Sequence, residues 1–211
     1  MEFKQSVRDL GIQLDDNLSL TKQINLVVKS CNDQIRNIYF IRKYLTNTCL
    51  RILVINLILS RIDYCNSIYV NMPKKVLKRL QVVQNKAARL ATGSSYEERV
   101  TPQLIQLHWL PIKARIVFKL CCLVYLALQN QKPTYLSKLL TPTRRRLFVP
   151  GIKSSYGKRS FSYTGPSLYN SLPLEIKNAT NVQSFKKKLK THLFTSAYDL
   201  QTKMTKDEYK V

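Results

Sequence analysis

From Leu20 to Ile38 the apolar residues Leu20, Ile24, Val27, Val28, Cys31, Ile35 and Ile38 recur at three- and four-residue steps. That period marks one face of a long helix, with Asp16, Asn17 and Ser19 as capping candidates at its start. Before it, Leu10-Gly11-Ile12-Gln13-Leu14-Asp15 reads as a short β-like piece. After it, residues 49–60 are strongly apolar and predict a helix around 48–62 buried on nearly all sides. Arg51 and Arg61 bracket only nine residues, interrupted by Asn56, whereas crossing hydrocarbon takes about twenty, so this is no membrane span. Asn71-Met72-Pro73 punctuates the chain and opens a third helix with Val76, Leu77, Leu80, Val83, Ala87 and Ala91 inside. Thr101-Pro102 predicts an N-cap followed by proline at the first helical position. Pro111 opens a further helix whose core stripe is Ile112, Ile116, Val117, Leu120 and Val124.

Beyond residue 141, Pro142, Pro150, Pro166 and Pro173 break the chain into short pieces. Thr180, with Gln183 three residues later, predicts a capping box for a terminal helix whose apolar edge is Phe185, Leu189 and Leu193. These breaks divide the chain into a piece at 1–15 that ends β-like, a helical bundle at 16–95, a helical continuation at 96–140, a basic region at 141–198 and a frayed tail at 199–211. The fold class is mainly α: a helical bundle, then a basic, proline-punctuated C-terminal region with short strands and a terminal helix. No internal repeat is visible.

Composition changes the picture chiefly through charge. The chain of 211 residues carries 35 Lys and Arg against 12 Asp and Glu, a net charge of +23. A field of that sign favours polyanions and speeds their encounter. The shortage of carboxylates argues against a two-metal enzyme, which needs several converging on its cations. With 45% apolar residues the chain can bury a core, which argues against disorder throughout. Five cysteines without framework spacing read as buried or free thiols in a reducing compartment, and no CxxC stands near a histidine. The first five residues lack an apolar signal core, so an intracellular location is expected; for a functional chain the expectation is the nucleus or a cytoplasmic ribonucleoprotein.

Candidate chemistry is sparse. Asp15-Asp16 precedes a helix, where acids favour the positive helix end, and capping is the reading for this pair. Glu97-Glu98 sits in a polar break, as solvated side chains. His108 and His192 have no nucleophile or carboxylate at recognisable spacing, and a packing role is expected for His108 beside Trp109. Neither GxxxxGK[ST] nor GxGxxG is present, so no nucleotide cofactor is expected.

The basic faces are what remains. Lys75, Lys78, Arg79, Lys86 and Arg89 would form a stripe mostly on the outer side of the third helix, able to track a phosphate backbone. Arg144-Arg145-Arg146 and Lys186-Lys187-Lys188, with Lys190, are denser clusters. Lys158 and Arg159 interleave with Tyr156, Phe161 and Tyr163, a mixture that can stack bases as well as pair phosphates. Between Thr141 and Thr195 eleven basic residues face one acid, Glu175, so little neutralises the field.

Several phrases together resemble one family. Ser60-Arg61-Ile62-Asp63-Tyr64-Cys65-Asn66-Ser67 is followed by Leu80-Gln81-Val82-Val83-Gln84-Asn85-Lys86-Ala87-Ala88-Arg89-Leu90, then by Leu107-His108-Trp109-Leu110-Pro111-Ile112. Tyr156-Gly157-Lys158-Arg159-Ser160-Phe161-Ser162, Asn170-Ser171-Leu172-Pro173 and Ser184-Phe185-Lys186-Lys187-Lys188-Leu189 complete the order. This sequence resembles the C-terminal third of reverse transcriptases from non-LTR, LINE-type retrotransposons of the jockey and CR1 kind. The resemblance implies that residues 1–15 are a remnant of the palm-end hairpin and residues 16–95 a thumb-like bundle. It also implies that the polymerase carboxylates, the fingers and the endonuclease domain are absent, so no catalytic residue carries over. The partners implied are RNA or DNA, and the palm and fingers in a full-length polymerase. An inert relic of a degraded element, and a host scaffold or RNA-packaging protein reusing the module, are the alternatives. A membrane partner is not expected, because the charge is spread through the fold rather than on one amphipathic helix.

Overall fold

The computed structural model describes residues 6–130 and 133–207, which are mainly helical with one two-stranded sheet. Contacts divide the chain into two compact units, Met1–Cys65 with Met72–Ile112, and Asn66–Asn71 with Lys113–Val211. Along the chain the units change after Cys65, after Asn71 and after Ile112.

The first unit begins with a hairpin. Strand β1 (Ser6–Asp9) pairs antiparallel with β2 (Ile12–Asp15), Asp9 opposite Ile12, so only Leu10 and Gly11 form the turn. Both have positive φ, 43° and 82°, as a turn matching the strand twist requires. Glycine does this freely; leucine does not, and Leu10 stands 82% exposed while its carbonyl accepts from the Tyr64 hydroxyl at 2.7 Å.

Asp15 closes the passage into the next helix. Its carboxylate accepts from the Ser19 and Leu20 amides at 2.7 and 3.0 Å and from the Ser19 hydroxyl at 3.1 Å. Helix α1 (Thr21–Ile41) then buries Ile24, Cys31 and Ile38 on the predicted face, with Val27, Val28 and Ile35 half-buried.

Thr46 caps α2 (Asn47–Val54) by accepting from the Cys49 amide at 3.3 Å. The helix widens into a π segment at Ile55–Leu59, where the Ser60 amide reaches back to the Ile55 carbonyl, and continues as α3 (Ser60–Asp63). This stretch is amphipathic, correcting the expectation of burial on nearly all sides. Leu50, Val54, Ile58 and Ile62 are buried, but Ile52 and Ile55 remain 52% and 45% exposed. The apolar run is longer than the face its neighbours can cover.

Helix α4 (Lys74–Thr92) places Leu77, Leu80, Val83, Ala87 and Ala91 inside as expected, together with Gln84 and Ala88. It ends at Gly93 in the left-handed conformation. Two polar rungs join it to α1: Arg79 donates to the Asn25 side chain, and Lys86 to that of Asn32 at 3.3 Å. The rungs lie seven residues apart on both helices, so α1 and α4 run parallel with matching periods. The buried Cys31 thiol approaches the Ile58 carbonyl at 3.8 Å, and Arg61 donates to Ser30, which joins the π segment and α3 to α1.

Helix α5 (Thr101–Gln106) has Thr101 as its first residue rather than its cap. His108 follows at φ 52°, its amide donating to Ile105 and that of Trp109 to Leu104, a left-handed helix ending. Trp109 is buried as expected, but His108 is exposed, because its backbone position turns the side chain outward.

In the second unit, the part of α6 (Ile112–Asn130) beyond Ile112 supplies the core. Cys121, Val124, Tyr125 and Ala127 pack with Tyr169, Leu172, Ile176, Phe185 and Leu189. The Tyr125 and Phe185 rings stack at 4.1 Å, and the Tyr125 hydroxyl donates to the Ala179 carbonyl at 2.7 Å. Short helices α7 (Thr134–Ser137), α8 (Phe161–Asn170) and α9 (Leu174–Lys177) lead to α10 (Val182–Asp207). The side chain that caps α10 is Asn181, not Thr180: its carboxamide oxygen accepts from the Ser184 amide at 2.8 Å. Instead of the short strands expected at 141–198, the described residues hold one antiparallel bridge, Pro142 with Leu147. Pro166 lies inside α8 rather than ending it. Residues 1–5 of the hairpin segment and 208–211 of the expected frayed tail lie outside the described residues.

Candidate nucleic-acid interface

The α4 cations divide by their position around the helix. Lys75 and Lys78 are exposed. Arg79, also exposed, and Lys86, half-buried, are tied to the α1 asparagines already described. Arg89, also half-buried, donates to the carbonyls of Ser95 and Glu98 at 3.2 and 2.8 Å and lies 5.0 Å from the Tyr96 ring centroid. It therefore holds the 95–98 loop as well as carrying charge. Glu98 caps that loop through the Ser95 amide and accepts from Gln103, so it is not merely solvated.

Arg144, Arg145 and Arg146 occupy the tip of a pinned loop in the second unit. The Thr143 amide and hydroxyl both donate to the Arg146 carbonyl, at 2.8 and 2.7 Å, and the Phe148 amide to Thr141 at 2.9 Å. Asn170, at the end of α8, then grips the backbone of Leu147 twice, accepting from its amide at 2.9 Å and donating to its carbonyl at 2.8 Å. A carboxamide bonded in this way imitates a neighbouring strand. All three arginines are exposed. Asn170 is a positioning residue that its place in a motif did not reveal.

Lys158 is exposed, and its carbonyl accepts from the Asn71 carboxamide at 2.7 Å and the Thr164 hydroxyl at 3.0 Å. Arg159 lies 4.9 Å from the centroid of Tyr156, which is 54% exposed. Along α10, Lys187, Lys188 and Lys190 are exposed and Lys186 half-buried. Lys188 donates to the Glu175 carbonyl at 3.2 Å, and Lys177 to that of Asn170 at 3.1 Å.

These bonds share one property: Arg61, Arg79, Lys86, Arg89, Lys177 and Lys188 all end on neutral hydroxyl, amide or carbonyl oxygens. Such acceptors orient a cation without cancelling it. The positive field thus persists at groups the fold has already ordered.

Asp15 is a structural carboxylate. Burial pushes its pKa up, but the bonds from Ser19 and Leu20 outweigh that and hold it below 3.8. Among the described residues no three of His, Cys, Asp and Glu come together as a metal-binding group. All five cysteines are free; burial pushes the Cys31 and Cys122 thiols up to about 11 and that of Cys121 to about 12. Those three buried thiols are poor nucleophiles at neutral pH. Among the described residues no helix is long and apolar enough to cross a membrane. No protein-family model, curated protein or solved structure matches the chain.

Proposed function

We propose that this chain binds nucleic acid through its basic faces and does not itself polymerise. In this reading it corresponds to the thumb and C-terminal region of a non-LTR retrotransposon reverse transcriptase and holds template RNA or target DNA. The supporting observation is the set of ordered cations whose hydrogen bonds end on neutral oxygens, together with three exposed arginines on a pinned loop. A phosphate backbone supplies the negative charge that the chain, at +23, does not. Exposed Tyr156 beside Arg159 adds a ring on which an unpaired base can stack.

The test is fluorescence anisotropy with a labelled single-stranded RNA and a DNA duplex across a salt series. Affinity is expected to fall by about 10³ or more between roughly 50 and 200 mM salt if six or more phosphates are contacted. A salt-independent affinity, or none at low salt, overturns the reading. Primer extension by the purified chain on an RNA template would overturn the non-catalytic part.

A further inference from the structure

A cavity of about 640 Å³ opens in the first unit between the hairpin, α1 and α3, lined by residues that include Arg8, Gln13, Leu26, Val27, Arg61 and Tyr64. Its volume falls within the roughly 300–1,000 Å³ of small-molecule sites. Arg8 and Gln13 are directly opposed in the hairpin register, so their side chains share one face, and both line the cavity. The Gln13 amide donates to Gln23 Oε1 at 2.8 Å, which fastens that face of the hairpin to α1. On the other side, α3 contributes Arg61, held toward α1 by its bond to Ser30. Leu26, 54% exposed, and Val27 supply an apolar wall. Tyr64 is 53% exposed, but its hydroxyl is fixed on the Leu10 carbonyl, so its ring is presented without freedom to turn away.

Two guanidinium groups, an apolar wall and an oriented aromatic ring are the recognition elements for an anion that also carries a flat apolar body. Guanidinium pairs phosphate in a planar, two-pronged geometry, and a tyrosine face stacks on a heterocycle. Among the described residues no carboxylate lines the cavity. We propose that this cavity binds a nucleoside monophosphate, its phosphate paired with Arg8 and Arg61 and its base against Tyr64 and Leu26. Capture here uses none of the clusters at 144–146, 156–159 or 186–190 and, of the ordered cations, only Arg61, so the Arg8 variant tests it separately from nucleic-acid binding.

The full chain is titrated by calorimetry with AMP, with adenosine and with inorganic phosphate, and the amide shifts of an isotopically labelled sample are followed with AMP. Binding of one AMP per chain is expected, with adenosine and inorganic phosphate each weaker by about tenfold or more. Shifts should concentrate at Gln13, Leu26, Val27 and Ser30. Arg8→Gln and Arg61→Gln should each weaken AMP by about tenfold, since each removes a charge-assisted bond. Arg8 is on an exposed strand, so its variant retains the fold even where Arg61→Gln loosens α3. The triple substitution of Arg144, Arg145 and Arg146 by Gln should leave AMP binding unchanged. The proposal is overturned if inorganic phosphate binds as well as AMP, if Arg8→Gln binds AMP like the unaltered chain, or if the triple substitution abolishes binding.

Discussion

The carboxamide of Gln84, wholly buried in α4, donates to the carbonyl of Leu110 at 2.8 Å. One turn earlier, Gln81 accepts from the Ile112 amide at 2.9 Å and donates to Gln84 at 3.0 Å and Asn85 at 2.8 Å. Pro111 interrupts the backbone ladder at this corner, and the two glutamines take up the groups on either side of it. Gln84→Leu keeps the volume but removes the donor. A stability loss of about 1–3 kcal/mol is expected, read as a lower urea midpoint with unchanged slope.

The hairpin turn should respond in the opposite direction. Leu10 occupies a left-handed position that leucine disfavours, with its side chain 82% exposed. Asparagine adopts that conformation readily, and the bond from Tyr64 is to the backbone, so substitution leaves it intact. Leu10→Asn should raise stability by about 0.5–1 kcal/mol, measured as a higher thermal midpoint. A fall would mean that the positive φ of Leu10 does not cost the fold stability.

These two sites mark what the sequence reveals and what it hides. The inner face of α4 is legible because Leu77, Leu80, Val83 and Ala87 repeat with the helical period, and burial follows period. The outer stripe is only partly so. Lys86 and Arg89 sink to half-burial because their acceptors, Asn32 and the 95–98 loop, are brought to them by tertiary packing. Charge alone cannot tell a cation that braces a loop from one that waits for phosphate. The tyrosine that steadies Leu10 lies fifty-four residues away, beyond the reach of turn propensities. The cavity was invisible for the same reason: Arg8, Gln23 and Arg61 come from three separate stretches. Asn170 gave no signal because its work is done on the backbone of Leu147, twenty-three residues earlier.

Acid should weaken the junction between hairpin and α1. The Asp15 pKa is depressed below its ordinary value of 3.8, so the folded state binds the proton less readily than the unfolded one. Its contribution is therefore fully present above pH 3.8 and is lost as pH falls through the lower folded-state value. Asp15→Asn should destabilise the chain at neutral pH by about 1–3 kcal/mol. Between neutral pH and about pH 3, its urea midpoint should drop less than that of the unaltered chain. Equal drops in both would remove Asp15 as a source of the acid sensitivity.

The arginine loop separates charge from placement. Replacing Arg144, Arg145 and Arg146 together by Gln touches only exposed side chains, so stability should stay within about 0.5 kcal/mol. If each pairs one phosphate, the slope of log affinity against log salt should shrink by about 2 to 3. Asn170→Ala leaves every charge in place but frees the Leu147 amide and carbonyl from their clamp. It should cost about 1–3 kcal/mol of stability and weaken binding at low salt while keeping most of the slope, because the same cations still reach phosphate from a less ordered loop. Should the triple substitution leave the slope unchanged, this loop takes no part in binding, whatever the chain as a whole does.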